Sequence, residues 1–205
     1  MAVNERPIRI FLWRLPSAPL SADDMTLACA RSYAKAADVA GGAGFFADPP
    51  PGIARDEKGK PFFPSMPTIH FSLSHSGDFC ACAFHTGPVG LDLQIHAECR
   101  REAIARRWFH PEEYAFLEKN NFEDFFQVWA AKESYVKYTG TGITGGLNRF
   151  SVADNTGMKD KMNGQGNGAA GRVEFYRREY PDNYSLCLCA GSVPEVRIEV
   201  IAEKT

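Results

Sequence analysis

The sequence predicts an α+β fold made of two similar α/β halves in one chain, and three observations carry that prediction. Strand-like runs group near the N-terminus, in the middle and at the C-terminus. Helical periodicity follows the first run and returns as a block after the middle runs. The element order runs strand–helix–strands, then strand–helices–strands, without any close sequence repeat. At 205 residues the chain is long enough for one sizeable core or two small, intimately packed halves. The Gly87-Pro88 turn divides them into 1–87 and 88–205.

In chain order, Ile8 to Trp13 reads as a strand closed by Pro16 and Pro19. Ser21, with Asp24 three residues on, starts a helix running through Met25, Cys29 and Tyr33 to about Val39. Gly41, Gly42, Gly44 and the Pro49–Gly52 stretch form a loop, and Asp56 to Pro67 stays loop-like because its prolines and Gly59 interrupt regular structure. Thr68–Leu73 and Phe79–Phe84 read as strands around Gly77-Asp78, and Val89–Ile95 as a third. Arg100 to Trp108 is helical. Pro111 suits the first turn of the next helix, where Glu112 and Glu113 are favourable. Asn120-Asn121 break that helix before Phe125 to Gly140. A strand is expected around Asn148–Val152, then a mobile, low-complexity loop from Thr156 to Gly171. Val173–Arg177, Tyr184–Ala190 and Val196–Ile201 complete an antiparallel sheet.

Composition is ordinary for a globular protein, and a net charge of -2 gives no sign of nucleic-acid binding. No apolar run approaches the roughly 20 residues of a membrane span. The segment MAVNERPIRIFLWRLP is too polar early for a secretory signal, so a cytoplasmic location is expected. The six cysteines lack CxxC spacing; Cys80 with Cys82, and Cys187 with Cys189, each share a strand face and read as reduced core residues, with a metal site the weaker reading.

Two stretches bear on chemistry. At 100° per residue, Phe122, Phe125, Phe126, Trp129 and Val136 share one helical face, and Glu133 falls inside that arc with Lys137 one turn on. A carboxylate aimed into an apolar face is costly unless paired or bound to a cation. A rim Glu–Lys pair at i,i+4 accounts for it as well. In VGLDLQI, Val89, Leu91, Leu93 and Ile95 face one way, and Gly90, Asp92 and Gln94 the other. Asp92 and Gln94 are then roughly 6.5–7 Å apart along the strand. A wet polar face gives the same pattern. The functional alternative is a hard-cation site in which Asp92, Gln94 and Glu133 suit Mg²⁺, an ion that takes few protein oxygens and keeps water and phosphate. In FSLSHSGDF, Ser74-His75-Ser76-Gly77 is either a plain hairpin turn or a phosphate cradle. Lys60, in Gly59-Lys60-Pro61, is either a solvated lysine or a phosphate contact.

Taken in order, GKP, FSLSHSGD, VGLDLQ, FHPEEY and WAAKESYVKYTG resemble the 4′-phosphopantetheinyl transferases, and within them the Sfp type, over roughly residues 56–145. The resemblance implies two similar α/β halves and an enzyme that moves the phosphopantetheine arm of coenzyme A onto a serine of an apo acyl or peptidyl carrier protein, releasing 3′,5′-ADP with Mg²⁺. Carried onto matching positions, it makes Asp92 and Glu133 metal ligands, with Gln94 beside them. Glu133, directly or through water, takes the serine proton, and Lys137 neutralises the leaving phosphate. His75 meets the 3′-phosphate of CoA. Lys60 and Ser74 belong to the phosphate shell, Lys132 reaches the carrier or a phosphate, Trp129 packs the helix, and Glu113 is an acid near the site.

Two departures stand out. The family's G-[IV]-D-[IVL]-E motif here has Gln94 as its last residue, which implies weaker metal binding. The N-terminal half is short and lacks the usual basic stretch; Arg31 and Lys35 lie on its helix without a motif match. Arg100, Arg101, Arg106 and Arg107 offer a basic face to an acidic carrier, or simply a solvated helix surface. With both halves in one chain, a monomer is expected. A non-catalytic CoA- or carrier-binding homologue is the main alternative. Another Mg²⁺-dependent phosphoryl-transfer enzyme or hydrolase has no Walker or Gly-rich kinase loop to support it.

Overall fold

A computed structural model of the chain describes residues 7–15, 21–37, 44–45, 47, 50–142, 146–164, 171–180, 183–193 and 195–201. The expected stop at Pro16 and Pro19, the glycines 41–42, the helix end near Val39 and residues 165–170 of the low-complexity run lie outside these. The elements are β1 (Ile8–Arg14), α1 (Ala22–Ala37), β2 (Ala54–Arg55), β3 (Pro61–Phe62), β4 (His70–Ser76), β5 (Phe79–His85), β6 (Val89–Ile95), α2 (Arg101–Trp108), α3 (Pro111–Lys119), α4 (Phe125–Thr139), β7 (Ala153–Asp154), β8 (Gly157–Met158), β9 (Lys161–Asn163), β10 (Arg172–Glu179), β11 (Tyr184–Ala190) and β12 (Val196–Val200). This is the mixed α+β architecture expected. Among the described residues no helix is long and apolar enough to cross a membrane.

Side-chain alternation along the strands sets the layers. One sheet has the order β12-β1-β5-β4 and the other β6-β11-β10-β9. Ile8, Ile10, Leu12, Ala81 and Ala83 of the first meet Val89, Leu91, Leu93, Leu186 and Leu188 of the second in a shared core. The opposite residues of the first sheet, Phe11, Phe71, Cys82 and Phe84, pack on Cys29, Ala30 and Tyr33 of α1. Those of the second, Cys187 and Cys189, pack beneath α4 with Phe125, Val128 and Ala131. The layers are thus α1, sheet, sheet, α4. All six cysteines are free thiols, and the two same-face pairs are buried.

Local sequence explains most boundaries. The Ser21 hydroxyl accepts from Asp24 N at 3.1 Å and caps α1. His110 and Glu113 form a capping box that starts α3, with Pro111 in its first turn. Asn121 and Phe122 turn the chain at φ 54° and 59° before α4. Phe122 therefore precedes the helix, although it still packs on the same core. The left-handed Gly140 at φ 65° ends α4.

Four expectations are corrected. The loop from Asp56 to Pro67 contains a short ladder, Ala54↔Phe62 and Arg55↔Pro61. A strand over Asn148–Val152 is replaced by a 3₁₀ turn at Leu147–Arg149 and the two-residue β7. Buried side chains take the backbone groups a strand would need: Lys132 Nζ donates to Phe150 O, and Glu113 accepts from Val152 N. Part of the low-complexity run is regular, with β9 paired to β10. Finally, β12 joins β1 in parallel, not an antiparallel sheet with its sequence neighbours.

Candidate active site

The site is assembled where α4 lies on β6. Gly90 makes that approach possible: a Cβ there would stand 2.0 Å from Ser134 O and 2.3 Å from Tyr138 N. With backbone against backbone, the next turn of the helix brings Glu133 and Lys137 over Asp92. The helix is buried nearly all round, from Ala130 through Val136, so it is a core helix and not the one-faced element its arc suggests.

Asp92 is 5% exposed. Its Oδ1 accepts from Lys137 Nζ at 2.8 Å and from the Ser74 hydroxyl at 2.9 Å. Among buried oxygens without a hydrogen-bond partner are Asp92 Oδ2 and Glu133 Oε1. Burial, and then the negative charge of Asp92, push the Glu133 carboxyl above its ordinary value, against the pull of Lys137. Two neighbouring acids with unsatisfied buried oxygens fit a hard divalent cation, which would remove both the orphaned acceptors and the mutual repulsion. Gln94 shares the Asp92 face of β6, half-buried, and its Nε2 donates to Ile95 O at 3.0 Å. Among the described residues no group of three His, Cys, Asp or Glu side chains gathers.

Beside these residues is a cleft of about 300 Å³ lined by Lys60, Phe71, Leu73, Glu133, Val136 and Lys137, among others. Lys60 Nζ donates to Tyr138 O at 2.8 Å near the end of α4, and burial pushes its ammonium down to about 8. The structure therefore brings together Asp92, Glu133, Lys137, Ser74 and Lys60. His75 is exposed on β4, one rung beyond Leu73 on the same strand face.

Lys132 is elsewhere. It is fully buried, with its ammonium 2.7 and 2.6 Å from the two Glu113 oxygens and 2.8 Å from Phe150 O. All three N–H groups have acceptors within the core, so this side chain faces neither the cleft nor solvent, contrary to the phosphate or carrier contact expected. Glu113 is equally buried and also accepts from His110 N and Val152 N. The pair ties α4 to α3 and to the 150–152 segment. Trp129 stacks on Phe125 and lies against Phe109, as a packing residue.

Sequence reasoning missed how the first sheet is joined to β6. The hydroxyls of Ser72, Ser74 and Ser76 accept from Leu91 N, Leu93 N and Ile95 N at 2.9, 3.1 and 3.0 Å. The alternating serines of FSLSHS carry the signal, but their partners are visible only once β4 lies beside β6.

A mixed α+β fold that sets two buried acids and a lysine against a cleft defines an enzyme-like polar site. The comparisons give its family. The 4′-phosphopantetheinyl transferase superfamily matches residues 88–189. A 4′-phosphopantetheinyl transferase of Bacillus subtilis is 33% identical over 140 residues, 65% of this chain and 60% of that protein. The 4′-phosphopantetheinyl transferase Sfp of Bacillus subtilis (strain 168) is 40% identical over 104 residues, 49% of this chain and 46% of that protein. The 4′-phosphopantetheinyl transferase psf-1 of Bacillus pumilus is 40% identical over 98 residues, 46% of this chain and 42% of that protein. These matches place residues 88–189 in the 4′-phosphopantetheinyl transferase superfamily, with Sfp among the relatives that the chain resembles. It spans 60% or less of the length of these relatives.

Proposed function

We propose that this chain transfers the 4′-phosphopantetheine group of coenzyme A to a serine hydroxyl of an apo acyl or peptidyl carrier protein, releasing 3′,5′-ADP. The observation that carries the reading is the pair of orphaned buried oxygens, Asp92 Oδ2 and Glu133 Oε1, beside Lys137. In this reading Asp92, Glu133 and the amide oxygen of Gln94 hold Mg²⁺. When bound, that ion supplies charge neutralisation at the pyrophosphate. The serine oxygen forms a bond to the phosphorus that carries the pantetheine arm, and the bond from that phosphorus to the ADP oxygen breaks. Glu133 takes the serine proton, directly or through water. Lys137 turns from Asp92 to the leaving phosphate. Lys60 and His75 hold the remaining phosphates, and Val136, Phe71 and Leu73 give the cleft an apolar wall for the arm.

The same reading divides the chain into halves 1–87 and 88–205. The paths β1–α1–β4–β5 and β6–α4–β10–β11 support this division, because in each the last strand pairs back with the first. The carrier docks on the face bearing Arg100, Arg101, Arg106 and Arg107, where Trp108 is 40% exposed. The protein acts as a monomer in the cytoplasm, where free thiols persist.

The test is intact-mass analysis of an apo acyl carrier protein after incubation with the chain, CoA and Mg²⁺. The expected result is a gain of one phosphopantetheine, lost with EDTA and with Glu133→Ala. CoA binding without any gain across several carriers would instead favour a non-catalytic homologue.

A further inference from the structure

Ser74 makes three hydrogen bonds, and their polarity is fixed. Leu93 N and Lys137 Nζ, at 3.1 and 3.0 Å, can only donate. They occupy both lone pairs of the hydroxyl. Its single proton must then go to Asp92 Oδ1, at 2.9 Å. The oxygen is 5% exposed as a residue and has no acceptor or donor capacity left for a substrate phosphate. Lys137 takes the same Asp92 oxygen, and Oδ2 is left without a partner. One hydroxyl from the edge of the first sheet thus decides which oxygen of an acid on the second sheet remains open.

We propose that Ser74 is a positioning residue for the cation site. Its donated proton locks the Asp92 carboxylate about its terminal torsion, so that Oδ2 alone is presented toward Glu133. This inference rests on the reading of Asp92 as a metal ligand. An aspartate's terminal torsion is broad and roughly two-fold, so without this bond the two oxygens exchange places easily. Hydrogen-bond partners of ligating groups typically contribute 10–100-fold to metal affinity. The neighbouring rungs provide internal controls. The Ser72 and Ser76 hydroxyls accept from the β6 backbone in the same way, but among the described residues Asp92 takes its hydrogen bonds from Ser74 and Lys137.

The experiment measures Mn²⁺ binding to the full chain without CoA, by the loss of the free-ion paramagnetic resonance signal. Ser74→Ala is expected to weaken Mn²⁺ binding about tenfold, and Ser74→Thr, which keeps the hydroxyl, to restore most of it. Ser72→Ala and Ser76→Ala are expected to lower thermal stability while leaving Mn²⁺ affinity within about twofold. Equal or tighter binding by Ser74→Ala overturns the role of Ser74 alone. So does an equal loss in Ser72→Ala or Ser76→Ala, which would make the effect one of the sheet joint. A wild-type chain that binds no Mn²⁺ overturns the metal reading and this inference with it. If Ser74→Ala does not fold, Ser74→Cys keeps the volume with a weak donor; wild-type affinity in that variant overturns the proposal.

Discussion

Lys137 Nζ is 2.8 Å from Asp92 Oδ1, so the lysine acts as the counterion of the proposed metal ligand. A dication arriving at Asp92 and Glu133 must meet or displace that ammonium. Two unit charges 4 Å apart exchange about 4 kcal/mol at an effective dielectric of 20. Lys137→Met is therefore expected to tighten Mn²⁺ binding to the CoA-free chain by about tenfold, a shift of about 1.4 kcal/mol, while abolishing transfer. Calorimetric titration with Mn²⁺ checks the first half and intact-mass assay the second. Weaker metal binding in this variant would mean that Lys137 supports the site instead of opposing the ion. In the wild type, metal and CoA are then expected to bind synergistically, because the pyrophosphate would give Lys137 another anion.

Lys60 gives the site a pH dependence. Burial lowers its ammonium to about 8, only partly offset by Asp56 and Cys189. Its charge is present below that value and lost as pH rises through it, well before an ordinary lysine titrates. If the ammonium contacts a CoA phosphate, affinity for CoA falls by roughly tenfold between pH 7 and 9. Lys60→Arg, which cannot titrate in this range, flattens the profile. Isothermal titration with CoA at several pH values measures both; parallel profiles would remove Lys60 from the phosphate shell.

The Lys132–Glu113 pair is a stability device, and it shows where the sequence becomes opaque. Breaking a buried pair from one side leaves an uncompensated charge and costs about 3–5 kcal/mol. Lys132→Met and Glu113→Leu should each do so in urea denaturation. The double variant should be no worse than either single one, since no charge remains. It should not regain wild-type stability, because His110 N and Val152 N lose their acceptor. Additive losses would argue against the pairing.

These cases mark what local pattern encodes. The bounds of β6 and the face of Asp92 follow from strict alternation, and the end of α4 from Gly140, so all were legible. The cap of α1 at Ser21 and the start of α3 at Pro111 were legible for the same reason: their causes lie within three or four residues. What was not legible depends on partners far along the chain. Lys132 sits beside Glu133 in sequence, yet helical geometry turns the two about 100° apart, and only Glu113, on another helix, makes the core direction tolerable for the lysine. The segment near Phe150 reads as strand until those two side chains claim its backbone. The parallel pairing of β12 with β1 joins the two ends of the chain, and no local signal announces it. The stretch Ser74-His75-Ser76-Gly77 is open in sequence between a hairpin turn and a phosphate cradle; that the hydroxyls of Ser72, Ser74 and Ser76 accept from the backbone of β6 is visible only in the fold.

Gln94 is the proposed third ligand, and its charge is expected to set how strongly the ion is held. Its Nε2 is engaged by Ile95 O at 3.0 Å, which fixes the amide and turns the carbonyl oxygen away from that bond. A neutral oxygen ligand contributes less than a carboxylate by the order of one charge at close range, about 1 kcal/mol even in a water-like dielectric. Gln94→Glu is therefore expected to tighten Mn²⁺ binding and to lower the Mg²⁺ needed for half-maximal transfer, each by about fivefold. The new acid also adds a third negative charge beside Asp92 and Glu133. Without metal it should raise the Glu133 carboxyl pKa further and lower thermal stability, with both effects reversed by Mn²⁺. Melting curves with and without Mn²⁺ separate the cases. A variant destabilised without metal and rescued by it places Gln94 at the ion, whereas one indifferent to Mn²⁺ places the amide outside the coordination shell.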